Sequence, residues 1–300
     1  MTEIADRKDV GRFLDRIRES IAARLERLEL PDGGVAIPPN LMPGKMLRSR
    51  FGAHLGGSEE TAPLSTALAN ACMAVEILHT ATLCHDDVID NGLIRRAGPT
   101  LWRVTGPSAA VLIGDWLLCE SVQIVKDINR AAYLGPFLAK VQETCRAESE
   151  HEMSIGGLPL DTDTCLRLAR GKSGALFSFI GLVAGGTDCK LSAAMEEAGY
   201  CVGTAYQLGD DLLDTMGRDR DAGKTLGTDA ARGKSTLPQD PHAGHALTRQ
   251  HVAAQCRRAI EALAPWEDAR AGLESFMHDD LWSIFKTLGW GTPLPTGTAV

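Results

Sequence analysis

The chain has 300 residues, 44% of them hydrophobic and 23% charged, and a formal charge of −8. That composition fits a soluble globular protein with one large core or two small ones. The acidic balance argues against an extended nucleic-acid surface, which would show a basic excess; a mean hydropathy of −0.08 and the lack of any run of 18 apolar residues argue against membrane insertion.

Along the chain, the N-terminus is charged from residue 3 and has no apolar h-region, so no secretory signal is expected. Residues 8–28 place Val10, Phe13, Ile17, Ile21, Leu25 and Leu28 at helical spacing. A Gly/Pro-rich connector, ELPDGGVAIPPNLMPG, follows. Further helices are expected over 65–90, 107–130, 137–154, 162–183, 191–216 and 245–264. Those at 65–90 and 191–216 are apolar around much of their circumference and belong at the centre of a bundle. Residues 288–300 have turn composition and read as a flexible tail. Eight cysteines are scattered without a C-x-x-C pair and read as reduced core thiols of a cytoplasmic protein. The expectation is an all-α fold, one domain over 1–300 with its core at 8–287.

Two clusters break the apolar pattern. Asp86-Asp87-Val88-Ile89-Asp90 and Asp210-Asp211-Leu212-Leu213-Asp214 each read D-D-x-x-D near the end of a long helix. The first and last aspartates of each cluster stack on one helix face, where they repel. A divalent cation resolves that conflict, and carboxylate oxygens suit magnesium, which shares its sphere with water and substrate phosphates. A solvated acidic helix end accounts for one such cluster less readily when there are two. Basic residues answer them: Lys45 and Arg48, whose helical spacing puts them on one face; Arg95 and Arg96; Lys172 with Ser173 at the start of a helix over 172–183, where the dipole favours an anion; and Lys224 and Lys234 in a Gly-rich loop. As a set they suggest a site for diphosphates bridged by magnesium. Gly227–Ser235 misses the Walker A spacing by one residue and follows no strand, and Asp219-x-Asp221-x-Gly223 lacks the later ligands of an EF-hand.

In this order, the segments GKMLR, EILHTATLCHDDVIDNGLIRRAGPT, AAVLIGDWLL, GKSGALF and YQLGDDLLDTMGRDRDAGKTLGTDAARGKSTLP resemble the trans-isoprenyl diphosphate synthases of the polyprenyl synthetase family. The resemblance covers roughly residues 40–240. It implies an all-helical isoprenoid-synthase bundle with a central cavity, a homodimer, and three magnesium ions held between the two aspartate motifs. By the same resemblance Asp86, Asp90, Asp210 and Asp214 are the metal ligands, with Asp87 and Asp211 beside them. Arg95, Lys172, Ser173, Gln207 and Lys224 match positions that hold the allylic diphosphate, and Lys45, Arg48, His79 and Arg96 those that hold isopentenyl diphosphate. Lys234 falls on a later Gly-Lys. Departures are Ala147 and His151 in place of the family's usual glycine and glutamine, where the histidine either adds a pH-sensitive contact or only fills space; RRAGPT in place of R-R-G-K-P-T; and an apparently shortened segment after Pro238.

The reaction implied is head-to-tail condensation of a dimethylallyl, geranyl or farnesyl diphosphate with isopentenyl diphosphate. In the family, the residues four and five before the first aspartate help set the cavity floor; here they are Thr82 and Ala81, both small. A product of twenty carbons or more is therefore expected, with Met73, Trp116 and Leu117 as candidates for a deeper floor. The alternatives are a farnesyl (fifteen-carbon) synthase, a class I terpene cyclase-like enzyme that ionises one diphosphate and needs no isopentenyl pocket, and a non-catalytic synthase subunit.

Overall fold

The computed structural model describes residues 7–26, 41–56, 63–96, 98–128, 131–157, 160–216 and 243–287. Its helices are α1 (Arg7–Leu25), α2 (Leu47–Gly56), α3 (Pro63–Ile89), α4 (Leu101–Thr105), α5 (Pro107–Asp127), α6 (Leu134–Met153), α7 (Thr162–Ala169), α8 (Ala175–Ala184), α9 (Cys189–Met216), α10 (Ala243–Ala262), α11 (Glu267–Phe276) and α12 (Trp282–Thr287). Among the described residues the one sheet is a hairpin of two short strands, β1 (Ile94–Arg95) and β2 (Gly98–Pro99). The fold class is all-α, as the periodicity predicts.

Sequence chemistry sets several helix starts. Gly106, at φ +86°, turns the chain and Pro107 opens α5 with its preset backbone. The Asp161 carboxylate accepts from the Thr164 amide at 2.8 Å to cap α7, and Asp188 accepts from the Lys190 and Leu191 amides to open α9.

Helices α3, α8 and α9 carry the centre of the core, and Phe51, Phe177 and Phe276 meet edge-to-face beneath α2. A stripe of glycines lets α8 and α9 approach closely. A Cβ on Gly181 would lie 2.1 Å from the Met195 carbonyl oxygen, and one on Gly199 would lie 2.5 Å from that of Phe177. The ends of α3 and α5 adjoin at His85, whose Nε2 lies 3.2 Å from the Val111 carbonyl oxygen and 3.3 Å from Asp115 Oδ1.

Three expectations change. The helix expected over 162–183 is interrupted by a π turn, Arg170–Gly174, which inserts extra backbone between α7 and α8. Residues 267–287, which carry no clear period, form α11, a second π turn (Met277–Leu281) and α12. The phase slip at Met277 breaks the 3.6-residue repeat that would reveal one helix. Finally, Thr66–Ile89 and Pro107–Asp127 are long and apolar enough to cross a membrane by length and composition. The first is 67% buried inside the protein, as a core helix is; the second is 33% buried, and its outer face carries exposed Val111 and Leu112. The cysteines are all free: five are buried, while Cys119, Cys145 and Cys189 are exposed.

Candidate active site

The two aspartate motifs lie on α3 and α9, at the end of the core those helices share. Asp90 follows the last residue of α3, yet its amide still donates to the Asp86 carbonyl at 2.7 Å, so the two carboxylates stay one helical turn apart. Asp87, on the adjacent face, is buried and bound: Arg95 donates to it from Nε at 2.9 and 2.8 Å and from Nη2 at 2.7 Å. The β hairpin delivers Arg95 to this contact.

Electrostatics tie the motifs to one region. Burial pushes the Asp86 carboxyl up to about 7, and the negative charges of Glu148 and Asp90 add to the shift against the opposing Arg95 and Lys172. Burial works against the charge of Arg95. Its bonded Asp87, with Asp86 and Asp210 beyond, more than offsets this and holds its pKa above the usual arginine value. Asp210, from the second motif, therefore shares a field with Arg95, from beside the first. It also acts on Arg48, whose pKa burial lowers.

Lys172 sits in the π turn and not at a free helix N-terminus, which corrects the expected anion site there: the helical path continues from α7 through the turn into α8. Its Nζ donates to Glu148 Oε2 at 2.5 Å and lies 2.7 Å from His151 Nδ1. His151 thus contacts a cation and does more than fill space. Ser173, next in the turn, donates to Gln207 Oε1 at 2.6 Å, and Gln207 Nε2 donates to Asp211 Oδ1 at 2.9 Å. This relay joins the π turn to the second motif.

Across the cleft, Arg48 is buried, its guanidinium 5.5 Å from the Phe177 ring centre. Lys45 is exposed and precedes α2, separated from it by Met46 at φ +51°. The helical spacing expected to align Lys45 with Arg48 does not apply, because the left-handed residue breaks the path. His79 opens partly onto the cleft; burial holds its pKa well below the ordinary histidine value, with Arg48, Arg96 and Arg95 adding to the effect. Arg96 donates to the Met42 carbonyl, and Gly44 packs so closely that a Cβ there would lie 3.1 Å from Arg96 Nε. Arg48, His79, Arg96 and the loop bearing Lys45 are thus brought together. Ala81 is buried, and Thr82 donates to the His79 carbonyl at 2.9 Å. Lys224 and Lys234, residues 239–242 and the tail 288–300 lie outside the described residues; the rest of the segment after Pro238 is helical, the start of the 20-residue α10.

The spacing argument missed two carboxylates. Glu148 pairs with Lys172. Glu76, buried, accepts from both the amide and hydroxyl of Ser49 and acts on Arg48. Each is a single glutamate on a helix, and its only signal is its placement three residues before His151 or His79.

The sequence profile of the polyprenyl synthetase family matches residues 37–262. The chain belongs to the polyprenyl synthetase family. The octaprenyl diphosphate synthase of Haemophilus influenzae is 32% identical over 69% of this chain and 67% of that protein. The geranylgeranyl diphosphate synthase of Mycobacterium tuberculosis is 35% identical over 55% of this chain, a match that spans about half (49%) of that enzyme. A polyprenyl synthase from Caulobacter crescentus, crystallised with calcium and isoprenyl diphosphate, shares the fold at a TM-score of 0.71 and 24% identity, over 91% of this chain and 97% of that one. As a member of the family, the chain is a prenyltransferase of the prenyl diphosphate synthase class. Its relatives make products of several lengths.

Proposed function

We propose that this polyprenyl synthetase condenses an allylic diphosphate (dimethylallyl, geranyl or farnesyl) with isopentenyl diphosphate, head to tail and trans, as a homodimer in the cytoplasm. The observation that carries the reading is the gathering of carboxylates from both motifs and two sets of cations in one electrostatic field. One group is Arg95 and Lys172; the other is Arg48, His79 and Arg96 with Lys45.

The donor set fits magnesium. Asp86, Asp90, Asp210 and Asp214 would hold it, all through oxygen. Among the described residues no three such side chains converge closely enough to enclose an ion. Magnesium keeps waters and completes its sphere on substrate phosphates, and three ions are proposed by analogy with the family. Held by these residues, magnesium would supply charge neutralisation of the allylic diphosphate and stabilise it as a leaving group.

The protein's own groups do the rest. Lys172, Arg95 and Lys224, with Ser173 and Gln207, grip the allylic diphosphate; Asp87 and Asp211 orient Arg95 and Gln207. The C–O bond breaks, and the apolar walls keep water from the allylic cation. Lys45, Arg48, His79 and Arg96 hold isopentenyl diphosphate with its double bond toward that cation. A C–C bond forms, and a proton leaves the isopentenyl unit for the departing diphosphate. Lys234 joins the basic rim in this reading.

Small Ala81 and Thr82 leave the cavity open below Asp86, and five residues of helix add about 7.5 Å. The product then reaches twenty carbons or more, the floor being set by deeper residues such as Met73 and Leu117, which are buried, or Trp116. The test is incubation with labelled isopentenyl diphosphate and each allylic primer. Label in lengthened prenyl alcohols after dephosphorylation supports the reading. Consumption of the primer at an equal rate without isopentenyl diphosphate would identify a cyclase instead.

A further inference from the structure

The turn that presents Lys45 to the cleft is unusual in its backbone. Met46 adopts φ +51°, a conformation that costs a non-glycine residue energy unless its surroundings hold it. The regular ladder of α2 therefore begins only beyond this residue, with the Arg50 amide donating to the Met46 carbonyl at 2.9 Å. The Ser49 amide, which would reach back to the Lys45 carbonyl in a continuous helix, donates instead to Glu76 Oε1 at 3.1 Å. A side chain serves the Lys45 carbonyl: Arg50 donates to it from Nε at 3.0 Å.

Arg50 is itself held from far along the chain. Its Nη1 donates to Asp280 Oδ1 at 3.0 Å, a contact across 230 residues, and Asp280 Oδ2 lies 3.0 Å from His54 Nε2. Asp280 belongs to the π turn between α11 and α12, and that region is fixed on α2 with little slack. A Cβ on Gly272 would lie 2.2 Å from the His54 carbonyl oxygen, and the Phe276 ring meets both Phe51 and His54.

From this geometry we infer that Arg50 and Asp280 are positioning residues for the isopentenyl diphosphate pocket. They clamp the left-handed Met46 turn, so that Lys45 and the buried Arg48 on its far side keep the separation that one diphosphate needs. The C-terminal helices thereby act on the second substrate without touching it. The inference rests on the proposed assignment of Lys45 and Arg48 to that substrate. It adds a specificity device, because nothing in the clamp reaches Lys172 or Arg95.

Steady-state kinetics on the full chain test it, with each substrate varied at saturating levels of the other, for wild type, Arg50→Met, Asp280→Asn, the double variant and Lys45→Ala. Arg50→Met is expected to raise KM for isopentenyl diphosphate by about tenfold and Asp280→Asn by about fivefold, the scale of one weakened charge-assisted hydrogen bond. KM for the allylic substrate should move less than about twofold. The double variant should be no worse than Arg50→Met alone, since both act through one chain of contacts. Asp280→Asn keeps the side-chain volume and one acceptor, so it carries the test if Arg50→Met does not fold. Equal changes in both KM values, or a lower melting temperature with neither changed, would overturn the clamp and leave an ordinary structural ion pair. If Lys45→Ala raises KM for isopentenyl diphosphate while both clamp variants leave it alone, the inference fails and the pocket stands. A silent Lys45→Ala would remove both.

Discussion

Arg95 and Lys172 each reach the cleft bound to a carboxylate, Asp87 and Glu148 respectively. Their aim is therefore set before substrate arrives, which lowers the cost of ordering them. Removing either should raise KM for the allylic diphosphate more than for isopentenyl diphosphate, by about tenfold or more, and His79→Ala should do the reverse. Indistinguishable changes in the two KM values would show that the roles are misassigned. His79 also titrates abnormally: burial, then Arg48, Arg96 and Arg95, keep it neutral when folded. The unfolded chain takes up that proton near pH 6.5, so the folded state loses stability as pH falls below about 6.5. Melting curves of wild type and His79→Gln from about pH 5 to 8 measure the effect. The variant should show the shallower slope; parallel slopes would contradict it. At this scale the aspartates were legible because doubled acidic residues conflict with the apolar helices that carry them. Lys45 was misread because no local pattern announces a left-handed Met46, and Glu148 was missed because a single glutamate on a helix has no spacing signature.

Among the elements, the long helices were read to within a few residues from their apolar period, and the two π turns were not. A π turn keeps helical composition while shifting phase, so Lys172 looks like a helix start when it is the middle of a continuous path. Close backbone approach fixes that path. A Cβ on Gly203 would lie 2.6 Å from the Gly174 Cα, and one on Gly171 would lie 2.6 Å from the Ala147 methyl group. Ala147 therefore fills its space fully. Gly199→Ala, at the α8–α9 crossing, should destabilise the protein by about 1–3 kcal/mol, because the methyl group meets backbone that cannot move aside. Chemical denaturation checks this, and an unchanged midpoint would mean that the helices separate easily. The same substitution at Gly11, where nothing lies within 4 Å of the added atom, is the control.

For the molecule as a whole, the outer side of α5 and its neighbours leaves Val104, Val111, Leu112 and Leu138 exposed, with Leu112 at 67%. In the proposed homodimer, a second copy on this face would account for a helix so apolar and so little buried within its own chain. Leu112→Asp should convert a dimer into monomers by light scattering, and an unchanged mass would refute that surface. In the proposed reaction, product length depends on the room below the first aspartate motif. With His85 against α5 near Gly114, Ala81 lies one turn deeper along the same face. Ala81→Phe should then shorten the product by at least one five-carbon unit. An unaltered chromatogram would place the floor elsewhere.

In the proposed reaction the two aspartate motifs act together on one diphosphate. The most direct measurement is the rate of label transfer from isopentenyl diphosphate into the elongated product by Asp86→Ala and Asp210→Ala, at ordinary magnesium, with folding verified by circular dichroism. Each substitution removes charge stabilisation from the same transition state, so each alone should lower turnover by about two orders of magnitude or more. Near wild-type turnover in either folded variant would contradict the account.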